Sequence, residues 1–191
     1  PHQLEDIYNF EDALLVGSML ITFLRHCDRI KIACLAQLVN VIAPIFTQTG
    51  GGIFAQTIFY PFEHLSNFGR GVALNPIISS PKYDCKAYTD VPFLESIATF
   101  DEENEEMTVF CVNKSMNEGM TLDVNLLDFD GYKPFEFISM DGYDKNDVNS
   151  FENPFVKPHN NPLPEFDDKT LTAQIKPFSW NVIRLKKCDF I

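Results

Sequence analysis

Basic residues are scarce in this chain. Its 191 residues include 15 Lys and Arg against 27 Asp and Glu, which gives a formal net charge of −12. Binding to nucleic acid needs clustered cations on the protein, because those cations neutralise backbone phosphates. An anionic membrane surface makes the same demand. The composition therefore argues against nucleic acid and against a membrane as partners.

Long apolar runs are missing as well. A membrane-spanning helix needs about 20 apolar residues, and the nearest candidate, residues 13–24, is closed by Arg25, His26 and Asp28. The first six residues, PHQLED, lack the positive charge and the apolar core of a secretory signal. They also lack an initiator Met, so we expect the chain to have been processed or cut from a longer one.

The cysteines do not form a disulfide pattern. There are five of them, an odd number, and their spacing matches no disulfide framework. Cys34 and Cys111 fall in apolar segments that predict strands, where a free cysteine behaves as a small hydrophobic residue. Unpaired cysteines are typical of reducing compartments. The sequence therefore predicts a cytoplasmic location.

No segment has the spacing of a metal or phosphate site. His26, Cys27 and Cys34 match no zinc pattern. The acidic run at residues 101–106 lacks the ligand spacing of a calcium loop and predicts a solvated hairpin turn. Three glycines at 50–52 are not followed by the Gly-Lys-Ser/Thr ending of a phosphate-binding loop. We therefore assign no metal and no cofactor.

The first third of the chain predicts a helix, a strand and a second helix. Asn9 can cap the first helix, and Glu11 and Asp12 in its first turn suit the helix dipole. Residues 53–65 predict the second helix, with an interruption near Pro61. Helix, strand and helix in succession are typical of an α/β fold with a parallel sheet. We assign residues 1–68 to this α/β part.

The segment between the two helices contains the best candidate for a site. Residues 30–42 are almost entirely apolar and predict a strand that is buried on both faces. Gln37 stands in the middle of this strand. A buried amide without partners costs roughly 2–7 kcal/mol, so Gln37 must either be hydrogen-bonded in the core or face a cavity. Buried polar groups are most often simply satisfied, and the residues by themselves leave both roles open.

From about residue 69 the pattern changes to short strands. Turn residues such as Asp130-Gly131 and Asp141-Gly142 separate runs rich in Val, Ile, Thr and Phe. These runs cover residues 72–79, 93–100, 107–112, 120–127, 135–140, 171–175 and 180–185. Such spacing predicts an antiparallel β-sandwich over residues 69–191. The proline-rich stretch 153–164 is expected to be an ordered surface loop.

The α/β part cannot be complete in this chain. One strand and two helices do not close a parallel sheet, so the missing strands are expected upstream, on a longer polypeptide or on a second chain.

Several motifs carry a family resemblance that runs in order along almost the whole chain. The sequence resembles the α-L-arabinofuranosidases of glycoside hydrolase family 51. The matching segments are residues 11–14 (EDAL), 24–26 (LRH), 32–45 (IACLAQLVNVIAPI), 56–62 (QTIFYPF), 79–84 (SSPKYD), 90–92 (DVP), 112–113 (VN) and 179–185 (SWNVIRL). Only the tail, residues 186–191, is not matched.

The resemblance implies a fold and a reaction. The fold would be the last part of a (β/α)8 barrel followed by a jelly-roll-like β-sandwich, with Gln37 on the eighth barrel strand. Active sites of such barrels lie at the C-terminal ends of the strands, and the family places a glutamine there that binds the arabinofuranosyl ring. We carry that substrate-binding role onto Gln37. Asn40, three residues further on, is expected to be structural.

The catalytic residues implied by the resemblance lie outside this chain. The family hydrolyses glycosides with retention, using two glutamates from earlier barrel strands, so no residue here is assigned as catalytic. The implied activity is release of terminal arabinofuranose from arabinan or arabinoxylan fragments, and the family also suggests a homo-oligomer. The chain has Phe54-Ala55 where many members have Trp-Arg, which leaves the substrate contacts of that loop open.

A function of another class is also compatible with the sequence. The sandwich could be a non-catalytic carbohydrate-binding or assembly module. Trp180, with Phe178, could then form a sugar platform, although a place in the core of the last strand suits Trp180 better.

Overall fold

The computed structural model describes residues 5–167 and 169–188. Its first helix, α1, spans Phe10–Arg25. The Asn9 side chain accepts a hydrogen bond from the backbone N–H of Asp12, and the Asp12 carboxylate accepts one from the backbone N–H of Asn9. This reciprocal capping box stabilises the first turn, which confirms the predicted cap at Asn9. No helix of the described residues is long and apolar enough to cross a bilayer.

The second helix, α2, spans Phe59–Phe68 and begins later than predicted. Residues 53–55 instead form a strand, β2 (Ile53–Ala55), which pairs with β1 (Ile45–Thr47) in a small antiparallel hairpin. Pro61 does not interrupt α2, because it lies in the first turn, where the backbone N–H has no helical acceptor to lose. Gly50 turns the hairpin with a φ of +66°, which glycine adopts without steric cost.

The strand predicted over residues 30–42 is not formed. Among the described residues, 26–44 contain neither helix nor strand, and most of residues 30–42 are exposed. Ile32 is 83% exposed and Leu38 77%. A parallel strand needs a neighbour to bond its backbone, and the described residues supply none. Within the α/β part predicted for residues 1–68, the described residues 5–68 therefore form two helices and the hairpin.

The described residues after α2 form two larger antiparallel sheets and one separate strand pair. Every strand pair of the described residues is antiparallel. The six-stranded sheet has the order β10-β9-β13-β7-β6-β3, and the three-stranded sheet has the order β11-β12-β8. The strands of the six-stranded sheet are β3 (Val72–Leu74), β6 (Leu94–Asp101), β7 (Glu106–Asn113), β9 (Tyr132–Met140), β10 (His159–Asn160) and β13 (Ser179–Lys187). The other strands are β8 (Met120–Asn125), β11 (Glu165–Asp167) and β12 (Thr170–Ile175), with a separate pair β4 (Lys82–Tyr83) and β5 (Val91–Pro92).

This arrangement confirms the predicted β-sandwich. Each of the seven predicted apolar runs contains a strand, although the run 72–79 forms only the three residues of β3. The acidic run 101–106 forms the turn between β6 and β7, as predicted. The proline-rich stretch 153–164 is a loop that contributes only the two residues of β10.

Two apolar clusters fill the molecule. One lies between the two sheets and includes Cys111, Phe137, Leu171, Ile183 and Leu185. The other lies on the opposite face of the six-stranded sheet, where α1 packs on β6, β7 and β13. Alternate side chains of β13 pack into the two clusters, because successive side chains of a strand point to opposite faces of the sheet. The sheet therefore has apolar layers on both faces, one from the second sheet and one from the helices.

Trp180 of β13 is the centre of the helix–sheet cluster. Its side chain is fully buried and stacks on Phe110, with ring centroids 5.9 Å apart. Gly17 of α1 lies against the same indole, and a Cβ there would come within 2.7 Å of Trp180 Cε3. The indole Nε1–H donates a hydrogen bond of 3.0 Å to Nδ1 of His64 in α2. One side chain of the sandwich therefore contacts both helices.

Arg184 ties the end of α2 to the same sheet. Its guanidinium lies 4.1 Å from the ring centroid of Phe68 and 4.7 Å from that of Phe135. It also pairs with Glu136 at 2.6 Å and with Glu106 at 2.7 Å. An arginine held by stacking and by two carboxylates keeps its charge compensated although it is mostly buried.

The buried imidazole gives the first testable prediction. Desolvation by burial lowers the pKa of His64 to about 4, and the ring must stay neutral to accept the bond from Trp180. The unfolded chain binds a proton near pH 6.5, so this contribution to stability is present above pH 6.5 and is lost as the pH falls towards 4. Between pH 7.5 and pH 5.0 the wild-type chain should lose about 2 kcal/mol more unfolding free energy than His64→Gln.

Urea titrations at the two pH values measure this difference. His64→Gln retains an acceptor for the indole, and His26→Gln is the matched control because His26 is exposed. The His26 variant should follow the wild type. An equal pH dependence in the wild type and His64→Gln would contradict the assignment.

The contact between Gly17 and the indole gives the second prediction. Alanine at position 17 gains about 1 kcal/mol of helix propensity, but its methyl group forces α1 and the indole apart, at a cost of about 1–3 kcal/mol. Gly17→Ala should therefore lower the thermal midpoint. Ser18→Ala, at the next position of the same helix, also raises helix propensity but adds no contact with the indole. It should leave the thermal midpoint unchanged or raise it. A higher midpoint for Gly17→Ala would show that the helix does not pack as described.

Candidate functional site

Gln37 lies in an open groove rather than inside a strand. Gln37 is exposed. The groove has a volume of about 270 Å³ and runs between the loop 35–38 and one side of α2. Leu35, Leu38 and Ile45 supply part of the apolar lining. Gln37 thus stands at the protein surface, in a groove lined by both apolar and polar residues. This geometry suits contact with a polar ligand, and it differs from the buried position that the sequence predicted.

The groove contains one acidic side chain among the described residues that line it. This is Glu63 of α2, and desolvation by burial raises its pKa. A retaining glycosidase needs two carboxyl groups about 5–5.5 Å apart. The groove offers a single carboxyl group beside an amide. The described part of this groove therefore lacks the pair of acids that cleavage of a glycoside needs.

Gln56, unlike Gln37, is a buried side-chain amide with hydrogen-bond partners for both its oxygen and its nitrogen. It is 1% exposed and accepts a hydrogen bond of 2.9 Å from the backbone N–H of Tyr8. Its Nε2 donates to the carbonyls of Ala43, at 2.8 Å, and Asp6, at 3.2 Å. Gln56 therefore fixes the segment before α1 against the end of the exposed loop. No local sequence pattern reveals this role, because the three partners are far from residue 56 along the chain.

Asn40 has the structural role that was expected of it. Its Oδ1 accepts a hydrogen bond of 2.8 Å from the backbone N–H of Thr47, and its Nδ2 donates to Thr47 Oγ1 at 3.0 Å. The backbone N–H of Asn40 donates to the carbonyl of Ile45. These bonds fold residues 40–47 into a tight turn at the base of the hairpin, close to Gln37 in sequence.

The ring of Trp180 is not exposed for stacking on a sugar, and neither is that of Tyr132, another aromatic residue of the sandwich. Trp180 is 0% exposed and Tyr132 5%, so neither ring face can stack on a sugar. Phe178 packs edge-to-face on Phe10, with ring centroids 5.5 Å apart. The core role favoured for Trp180 is therefore confirmed, and the idea of a binding module built on Trp180 is wrong.

A cluster of Ser139, Asp141 and His159 on the sandwich contains the residue types of a hydrolytic triad. Ser139 Oγ donates to Asp141 Oδ2, and His159 Nε2 lies 3.3 Å from Ser139 Oγ and 3.4 Å from Asp141 Oδ2. In a working triad the serine and the acid contact different nitrogens of the imidazole. Here both meet Nε2, so the cluster cannot activate the serine. Its effect is to attach β10 to the end of β9.

The other candidate ligands of the sequence are dispersed. His26, Cys27 and Cys34 are all exposed, and the residues that the structure describes contain no group of three or more His, Cys, Asp or Glu side chains that could hold a metal ion. In the turn 101–106, hydrogen bonds from the side chain and backbone of Asn104 lower the pKa of Asp101. That turn is held by its own polar groups.

Comparison with known proteins shows similarity to α-L-arabinofuranosidases both in sequence and in structure. The chain is 53% identical over 184 residues to intracellular exo-α-(1→5)-L-arabinofuranosidase 1 of Bacillus subtilis, and 54% identical over 187 residues to the corresponding enzyme of Halalkalibacterium halodurans. These matches cover 96% and 98% of this chain. A solved family 51 α-L-arabinofuranosidase from Bifidobacterium longum superposes with a TM-score of 0.87 at 37% identity, over 96% of this chain.

The same matches cover only part of the relatives. The chain spans 37% of the length of each of the two curated enzymes and 36% of the solved chain. The family profile described as the α-L-arabinofuranosidase C-terminal domain matches residues 1–179, nearly the whole sequence. This chain therefore belongs to the α-L-arabinofuranosidase C-terminal domain family.

Proposed function

We propose that this chain is the C-terminal portion of a retaining α-L-arabinofuranosidase of glycoside hydrolase family 51. The complete enzyme removes terminal, non-reducing α-L-arabinofuranosyl residues from arabinan or arabinoxylan oligosaccharides. The observation that carries this proposal is the identity of 53–54% to two curated arabinofuranosidases over almost the whole chain. Both relatives have α-(1→5) in their names, so an α-(1→5)-linked arabino-oligosaccharide is the substrate to test first.

Residues 1–68 are, in this proposal, the end of the catalytic (β/α)8 barrel, and residues 69–191 are a jelly-roll-like sandwich. The exposed apolar segment 30–42 supports the division. Full burial of a side chain such as Ile32 or Leu38 stabilises a protein by about 1.5–3 kcal/mol, and both are largely exposed here. Upstream strands of the same polypeptide would pair with this segment, cover its apolar side chains and complete the barrel.

Gln37 binds the arabinofuranosyl unit. Its amide can donate to one sugar hydroxyl and accept from another, and residues at the C-terminal ends of barrel strands face the substrate. The two catalytic glutamates belong to upstream strands. Glu63 is not one of them, because it lies on α2 and not at the end of a strand.

The assembly and location follow from the same identification. The enzyme is a homo-oligomer in the cytoplasm and needs no cofactor. Two observations support the location. The two curated relatives are named intracellular enzymes, and all five cysteines of this chain are free thiols, as in proteins of reducing compartments.

Comparing the isolated chain with the full-length polypeptide tests the proposal. The 191 residues alone should not hydrolyse an aryl α-L-arabinofuranoside, because the catalytic glutamates are upstream, whereas the full-length polypeptide should. The measurement is release of the aryl chromophore at equal molar concentrations. Turnover by the isolated chain would contradict the assignment of the acids, and no turnover by the full-length polypeptide would contradict the activity.

A substitution of Gln37 tests its contact with the sugar. In the full-length polypeptide, Gln37→Ala should lower kcat/KM by about 10- to 100-fold, the effect of losing hydrogen bonds worth about 1.4–3 kcal/mol. Gln174→Ala is the matched control, since Gln174 is a surface amide of β12 that bonds Thr121. The control should retain wild-type kcat/KM. An unchanged kcat/KM for Gln37→Ala would rule out its binding role.

A further inference from the structure

A second cavity lies at the hairpin of β1 and β2. Its volume is about 660 Å³, within the range of about 300–1,000 Å³ that small-molecule sites occupy. Three separate parts of the chain form its walls: residues 5–7 before α1, the hairpin with Asn40, and the loop 149–152 of the sandwich. The cavity therefore lies where the proposed barrel segment meets the sandwich.

Buried amides hold these walls in place. Asn149 is 2% exposed, and its Nδ2 donates to the carbonyls of Ala55, at 2.9 Å, and Val156, at 2.8 Å. Its Oδ1 accepts from the backbone N–H of Val156 at 2.8 Å. Gln56 fixes the N-terminal segment in the same way. The hairpin, the loop and the N-terminal segment are therefore joined by satisfied hydrogen bonds, and the cavity has a preformed shape.

Three phenylalanine rings from distant parts of the sequence line the cavity. Phe46 and Phe54 stack with centroids 5.4 Å apart and an interplanar angle of 22°. Phe151 of the sandwich loop meets Phe54 edge-on at 4.8 Å. Phe46 and Phe151 are half-buried, while Phe54 is buried. Aromatic faces beside hydrogen-bonding groups are the surroundings in which the C–H faces of a sugar are bound.

The polar groups around these rings restrict the charge of a ligand. Glu5, Glu152 and Gln48 line the cavity, whereas no Lys, Arg or His of residues 5–167 and 169–188 does so. A phosphate or a uronic acid would meet the carboxylate of Glu152 with no cationic side chain among the described lining residues, which is unfavourable. A neutral polyhydroxylated ligand meets acceptors for its hydroxyl groups and rings for its apolar faces. The chemistry therefore favours a neutral oligosaccharide.

The cavity and the groove of Gln37 lie on opposite sides of β1. Asn40, three residues after Gln37, lines the cavity, and Ile45 lines the groove while its neighbour Phe46 lines the cavity. Successive residues of a strand point to opposite sides, so β1 separates the two spaces. A ligand that occupies both must extend past β1. A single arabinose with a small aglycone is too short for this, and an oligosaccharide of several units is required.

We propose that this cavity binds the distal sugar units of a neutral arabino-oligosaccharide whose terminal residue lies at Gln37. Phe46 and Phe151 are the specificity-determining residues, because their half-buried rings supply the stacking faces. The proposal rests on the proposed function. It gives the sandwich loop 149–152 a direct part in the choice between short and long substrates.

The test measures kcat/KM of the full-length polypeptide on two substrates, an aryl α-L-arabinofuranoside and an α-(1→5)-linked arabinotetraose. Phe46→Leu and Phe151→Leu remove a ring and retain apolar volume, so the fold is preserved, and thermal midpoints verify this. Each variant should lose about five- to tenfold in kcat/KM on the tetraose, through KM, and change less than twofold on the aryl substrate. Phe155→Leu is the matched control, since Phe155 is an exposed ring outside the cavity, and it should change neither.

The experiment distinguishes failure of the proposed subsite from failure of the proposed function. Unchanged kcat/KM on the tetraose in both cavity variants, or an equal loss on both substrates, would overturn the proposed subsite while leaving the activity intact. Absence of turnover by the unaltered polypeptide on both substrates would overturn the proposed function, and the subsite with it.

Discussion

The contact of Trp180 with both helices is the interaction on which the rest of this structure depends. The indole is fully buried, donates to His64 of α2 and fills the space that Gly17 leaves open on α1. Each element constrains the others, since α1 can lie this close only where residue 17 has no side chain, and the indole nitrogen is satisfied only by a neutral imidazole. The sandwich thereby fixes the position of the two helices.

The position of the candidate site follows from that constraint. The Gln37 groove uses one side of α2 as a wall, and the hairpin that leads into α2 is joined to the sandwich by Asn149. Residues 30–42 are held at both ends, by α1 and by the buried turn at Ala43 and Pro44, and are open in between. In the proposed full-length enzyme, upstream strands would pair with this apolar segment, whose ends are fixed and whose side chains are exposed here. The sandwich would then brace the segment against the rest of the barrel.

The sequence was most informative where local chemistry decides the structure. Asn9 and Asp12 specify a helix start by themselves, and alternating apolar residues with turn signals located the seven principal strand runs. The sequence-based predictions were wrong where tertiary contacts determine the local structure. The apolar residues 30–42 have the composition of a strand but not its neighbours. Pro61 suggested a break that its place in the first turn does not cause. Gln56, Phe54 and Phe151 have partners as many as about 100 residues away, which a local pattern cannot reveal.

Amide hydrogen exchange tests most directly whether residues 30–42 become a barrel strand only in the presence of upstream strands. The measurement compares the isolated chain with the full-length polypeptide. We expect the amides of residues 32–39 to exchange rapidly in the isolated chain and to be strongly protected in the longer one, while those of β13 are protected in both. Strong protection of residues 32–39 in the isolated chain, or rapid exchange in the full-length polypeptide, would contradict this account.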